Sequence, residues 1–262
     1  MKPIILAIAV LSVASLLLVP VLTVYADTSL PLTGSQWAIL ELSDSKIKTT
    51  HADTISSGVQ FLFPDATGTP PGFVNLLTNG FTTSLATSNI LTANLTVVAA
   101  AGTMWVGNPD GQCAGAGAGS NCPGAVRLYF ASNLPQAGMD SCLGFNGNSG
   151  NMIVANEFDY WWSNPIVPVS AQHGIPGSYY QFSTLGGGSN GVVTLKVSLD
   201  PMNWTDLCGH RGTLDLGAFT ASISNIKDLG LSFGSGFFFE NGVGVNGSTG
   251  SATFQLNSYT IS

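Results

Sequence analysis

Alternation of apolar and polar residues constrains this chain more than any other feature. In Gly250-Ser-Ala-Thr-Phe-Gln-Leu-Asn-Ser-Tyr-Thr-Ile261, residues Ala252, Phe254 and Leu256 share one side. Tyr259 and Ile261 follow after a one-residue slip. A period of two belongs to a strand with one buried face. A slip of one is what a β-bulge produces. The same period runs through Gly191 to Leu199, where Val193, Leu195, Val197 and Leu199 align. It recurs from Leu91 to Val98, and from Ala125 to Phe130, where Val126, Leu128 and Phe130 align. Val59 to Phe63 is a short apolar run that stops at Pro64. Asn, Gly, Ser, Pro and Asp fill the stretches between, as turns require. Only Gly217 to Leu229 looks helical, and its Ala218, Ala221, Ile223 and Ile226 support a turn or two. The Gly-rich stretch at 111–121 reads as a loop and Gly186-Gly187-Gly188 as a turn, so no linker divides the chain. No repeat of the solenoid or propeller kind is visible. The expectation is all-β: one two-sheet antiparallel jelly-roll β-sandwich over 27–262.

The first residues stand outside that expectation. Lys2 precedes an apolar run from Ile4 to Thr23, and Val24-Tyr25-Ala26 offers a small-residue cleavage site before Asp27. Those three parts describe a signal peptide over 1–26, which would make the chain secreted or cell-surface. An uncleaved anchor helix is the alternative, because about 20 apolar residues also span a bilayer. No later segment is apolar enough to span a membrane.

Charge narrows the partners. Only 8% of the 262 residues are charged, against roughly 25% in an average domain. With 7 Lys and Arg against 14 Asp and Glu, the net charge is -7, and loss of Lys2 makes it more negative. Scattered cations cannot line a phosphate-binding groove, so nucleic acid is not an expected partner. A coiled coil would need charged flanks along its seam. Four cysteines, Cys113, Cys122, Cys142 and Cys208, fit two disulfides in an exported chain. Cys113–Cys122 would pin the Gly-rich loop between them, leaving Cys142–Cys208 as the long-range bridge. A zinc site would call for C-x-x-C spacing, which is missing. Sequons stand at Asn94, Asn203 and Asn246.

The chemistry concentrates in Asn156-Glu-Phe-Asp-Tyr-Trp-Trp-Ser-Asn-Pro165. Glu157 and Asp159 are two apart, so on a strand both carboxylates point the same way. Three readings remain open: a solvated strand face, a calcium site, and a catalytic acid pair. Trp161 shares their parity, whereas Tyr160 and Trp162 share that of Phe158. Burying Phe158, Tyr160 and Trp162 would leave Glu157, Asp159 and Trp161 on an open face. A Trp ring offers the flat apolar partner that a sugar face needs. Trp105, near Asn108 and Asp110, is a second platform candidate, while Trp204 reads as a structural plug. Phe237 to Phe239 reads as core, and His210-Arg211 as a cationic spot that holds a carboxylate.

Val154-Ala-Asn-Glu-Phe-Asp159, with Asn164-Pro165 and His173-Gly-Ile175, resembles the metal-binding segment of legume-type lectins. That resemblance implies Glu157, Asp159, Asn164 and His173 as metal ligands beside a sugar site, with calcium as cofactor. The family's second aspartate has no counterpart between Ile166 and Gln172, and Pro176-Gly177 breaks the strand expected after the His. A wider stretch resembles secreted jelly-roll carbohydrate-binding modules, of the concanavalin A-like or galactose-binding-like kind. It is carried by Leu195 to Asp206 with Cys208-Gly209, by Leu229 to Phe239 and by the closing strand. It implies an extracellular protein that binds a polysaccharide or glycan. Glu157-Phe-Asp159 also resembles the Glu-x-Asp-x-x-Glu strand of secreted glucanases, but Trp162 stands where the second Glu belongs.

No Gly-x-Ser-x-Gly, His-Glu-x-x-His, P-loop or dinucleotide fingerprint is present. The leading expectation is therefore a non-catalytic carbohydrate-binding protein using Trp161, Glu157, Asp159, Trp105 and Asn164. A glycoside hydrolase or polysaccharide lyase working through Glu157 and Asp159 is the second reading. A cell-surface or matrix structural protein is the third.

Overall fold

A computed structural model describes residues 27–43, 46–67, 71–107, 124–132, 160–164, 166–170, 174–181, 187–206, 210–234 and 242–262. Two antiparallel sheets face each other across one apolar core. The smaller sheet is centred on β7 (Ile90–Ala99) and β17 (Ala252–Ile261). β13 (Val193–Ser198) and β12 (Gly188–Ser189) pair with β7 on one side. β5 (Gly58–Leu62), then β4 (Asp53–Ile55), and β1 (Thr28–Ser29) lie beyond β17.

The larger sheet runs in the order β14 (Trp204–Asp206), β10 (Tyr160–Ser163), β9 (Ala125–Ser132), β15 (Ile226–Gly234), β6 (Phe73–Thr78), β2 (Trp37–Ser43) and β3 (Lys46–His51). β11 (Tyr179–Gln181) pairs with the near end of β9. β8 (Trp105–Gly107) and β16 (Val243–Val245) form a separate two-stranded ribbon. The chain steps from β5 in one sheet to β6 in the other and back to β7, the crossing a jelly roll uses.

The alternation in the sequence decides which residues meet. Leu91, Ala93, Leu95 and Val97 of β7 lie in the core with Val193, Leu195 and Val197 of β13. Phe254 and Leu256 join them from β17, and Val126, Leu128 and Phe130 approach from β9. The expected slip is a bulge between Leu256 and Ser258 of β17. Gly58 lies against this bulge with φ +140, and a Cβ there would stand 2.0 Å from the Leu256 carbonyl oxygen. A side chain at 58 would therefore have to displace backbone.

The helical segment is the two turns that the sequence supports, and it stops short of Leu229. α1 (Leu216–Ile223) begins at Asp215, whose carboxylate accepts from the Ala218 N–H. It ends at Ser224, and Ile226 already opens β15. Phe219 anchors the helix, packing edge-on to Trp161 at 5.0 Å. Among the described residues, no helix is long and apolar enough to cross a membrane.

Tyr259 points into the core beside Trp37, ring centroids 5.7 Å apart. Its hydroxyl is buried and has no hydrogen-bond partner among the described residues. Burial pushes the phenol far above its ordinary range. An unpaired buried hydroxyl costs more than a methyl-sized apolar group would. Tyr259→Phe should therefore raise stability by about 1 kcal/mol, read as a higher midpoint in urea unfolding. A lower midpoint would show that the hydroxyl is bonded.

Candidate functional site

Glu157, Asp159 and His173 lie outside the described residues, as do Asn108, Asp110, Phe237 to Phe239 and all four cysteines. The signal segment, 1–26, lies outside them too. Trp161, Trp105 and Asn164 are described, and the first two are not where the sequence suggests. Trp161 is 1% exposed and belongs to the core cluster. Its neighbours across β10 are Phe130 and Asp206, and it faces Phe219. Trp162 points to the other side of the sheet, opposite Tyr129 and Thr205, yet it too is buried. The open-face expectation for Trp161 fails because both faces of the larger sheet are covered here. When both faces are buried, alternation no longer tells which side is out. Trp105 is likewise corrected from a loop platform to a strand residue. It is 1% exposed on β8, with its ring 4.9 Å from Phe63 in an edge contact. Trp204 is the plug expected, fully buried against Phe130, with its indole N–H on the Ser198 carbonyl at 2.9 Å.

Asn164 leads instead to an open cleft of about 260 Å³. Its floor is the outward side of β13, which offers Lys196 and Ser198. One end is closed by the 3-10 turn Pro201–Asn203, where Asp200 caps the Met202 N–H at 2.9 Å. Asn203 then donates through Nδ2 to the Ser198 hydroxyl at 3.0 Å. Asn164 leaves β10 toward this turn, and its N–H reaches the Asn203 carbonyl at 2.6 Å. The Asn164 side-chain amide donates to the Thr205 hydroxyl at 3.0 Å.

The far wall is an irregular segment drawn against the edge of β13. The Lys196 N–H donates to the Gly177 carbonyl at 2.9 Å, and Gly177 bridges Leu195 in parallel. Within the wall Gly177 lies close on the 167–169 stretch, where a Cβ would stand 2.7 Å from the Val167 carbonyl oxygen. Ser178 ties the wall to Val167, and its carbonyl accepts from the buried Ser163 hydroxyl at 2.6 Å. Ile166 and Val167 stand on the rim at 49% and 50% exposure.

The lining combines two amides, two hydroxyls and one ammonium with aliphatic walls. Convergent polar groups in an apolar concavity are the usual make-up of a small-ligand site. Among the described residues no Asp, Glu or His lines the cleft. Among the described residues no group of three His, Cys, Asp or Glu comes together for a metal. A second hollow, of about 130 Å³ beside Trp37 and Phe81, is smaller, and the Trp37 N–H is already spent on the Pro31 carbonyl.

Only Asn164 marks this cleft among the residues that the sequence singles out for binding. Asn203 reads there as a sequon, and Ser198 and Lys196 as outward strand positions. The other sequon residues lie elsewhere. Asn94 sits mid-strand, bonded to Ser258 and Thr194, and Asn246 on a turn accepts from Ser248. His210 does meet a carboxylate, with its N–H on Asp206 at 2.7 Å and Nδ1 3.5 Å from the other oxygen.

No family model and no curated protein matches the chain by sequence. A solved structure described as the xylan-binding module CBM15 matches with a TM-score of 0.39 and 10% identity, covering 90% of this chain and 95% of that one.

Proposed function

We propose that this chain is an exported, non-catalytic carbohydrate-binding protein whose ligand enters the cleft between Asn164, Lys196 and Asn203. One observation carries the reading. Amides and hydroxyls, with the single lysine Lys196, converge on an open concavity whose described lining has aliphatic walls and no acid. A sugar presents the matching surface, with many hydroxyls for hydrogen bonds and short C–H patches for Ile166 and Val167. The export signal over 1–26, the low overall charge and the antiparallel sandwich suit such a role.

Asn203→Ala removes a cleft amide that also braces Ser198. It should weaken binding to a responsive polysaccharide about five- to tenfold in affinity electrophoresis. The same variant should lose little stability, because Asn203 is only half-buried. Equal retardation of variant and wild type on every polysaccharide would remove the cleft from the function. Repeating the gel with EDTA tests the calcium that Glu157, Asp159, Asn164 and His173 would hold: unchanged retardation separates binding from metal. Release of reducing ends, abolished by Glu157→Gln, would instead establish the hydrolase.

A further inference from the structure

The geometry points to an acidic sugar as the ligand of this cleft: a uronic acid carried singly on an otherwise neutral glycan, its carboxylate at the Lys196 ammonium. The inference rests on the carbohydrate reading above and names the ligand class of the same site.

Among the described residues that line the cleft, Lys196 is the one that carries a charge. It is exposed, and no ion pair among the described residues engages it. Cations are scarce in this chain, 7 in 262 residues, and an unpaired one in a concavity is a directional feature. Ile166, Val167 and Pro176 line the same cleft, so a ligand bound in it displaces part of the water between them and the lysine. A carboxylate placed there feels a lower dielectric than on open surface, which strengthens the pair. Asn164, Ser198 and Asn203 are left to hold the sugar hydroxyls.

Two further observations set how dense that charge is. The whole protein carries -7, so a polyanion is repelled beyond the reach of one lysine. Charges within about 8–10 Å act at physiological salt, and one bound carboxylate gains more than it loses only where its neighbours are neutral. The face next to the cleft is neutral as well. Lys196 stands in register with Thr92 of β7 and Thr260 of β17. One row on, Thr194, Asn94 and Ser258 form a hydrogen-bonded line, at 2.6 and 2.8 Å. Hydroxyls and amides there suit uncharged sugar units on either side of the acid.

The test compares methyl glucuronoside with methyl glucoside, which differ only in carboxylate against hydroxymethyl. Amide chemical shifts of the full mature chain give both affinities. The glucuronoside should bind about tenfold more tightly and shift cleft residues, the size expected of a charge-assisted hydrogen bond. Lys196→Gln should erase the difference between the two glycosides, and Lys196→Arg should keep it. In affinity gels, a neutral polysaccharide bearing scattered glucuronic acid should retard the protein more than polygalacturonate does. Equal affinity for the two glycosides overturns the inference and leaves the carbohydrate reading standing. Stronger retardation by polygalacturonate also overturns it. Failure of both glycosides and of every polysaccharide overturns both.

Discussion

Trp161→Ala should cost about 3–5 kcal/mol of stability, the range for deleting a large aromatic from a packed core. The side chain sits in the core cluster, edge-on to Phe219 and one strand from Phe130, which itself packs on Trp204. Removing it opens a cavity beside Phe219, one of the two α1 side chains, with Ile223, that lie in the core. The helix is two turns long and draws its stability from such packing, with Ile223 as its second buried anchor. Thermal or urea unfolding measures this directly. Trp161→Phe should cost markedly less, since it keeps a ring against Phe219 and removes an indole N–H that has no partner among the described residues. A Trp161→Ala variant with wild-type stability and lost glycan binding would restore Trp161 to the ligand surface and overturn its core assignment. Parallel loss of binding and stability would leave it in the core.

The difference between Trp161 and Phe254 shows what a sequence of this kind reveals. Phe254 lies on a strand whose other face is polar, so Thr253 and Gln255 mark outside and the period marks inside. The bulge after Leu256 was legible for the same reason, because a slipped register must show as two apolar residues out of phase. β10 carries aromatic residues on both parities, and both Trp161 and Trp162 are buried. Pattern then has no sign to read. Ile226 is ambiguous in another way, since one apolar residue fits both a helical and a strand period, and the structure puts it in β15. The cleft has no local signature at all. It arises where Gly177 meets the edge of β13 at Leu195 and Lys196, a contact between residues distant in sequence. Asn164 could be named from a resemblance. Lys196 and Ser198 could be assigned only to the outward side of a strand.

Asp228 should make the protein more stable in mild acid than at neutral pH. It lies on β15 just past the irregularity at Ile226, opposite Ala131, in the partly buried margin of the larger sheet. Burial pushes its carboxyl up from 3.8 to about 6, and neighbouring Lys227 opposes the rise only in part. The unfolded chain keeps the ordinary value, so the folded state binds this proton more readily. At pH 7 the carboxylate is ionised in both states, and the folded state bears the full cost of holding it. As pH falls below about 6 the folded protein takes up the proton first, and the cost is relieved. The gain is complete once pH is below the unfolded value, near 4. A rise of this size corresponds to at most about 2–3 kcal/mol, and partial exposure reduces this toward about 2 kcal/mol. Asp228→Asn should therefore raise stability at pH 7 by about 1–2 kcal/mol and add almost nothing at pH 4. Urea unfolding of both proteins at the two pH values measures the difference. The test lies in the pH dependence rather than in either value alone, because other carboxyls contribute equally to wild type and variant. A stability gain that is the same at pH 4 and pH 7 would mean that the Asp228 carboxyl is solvated in the folded protein.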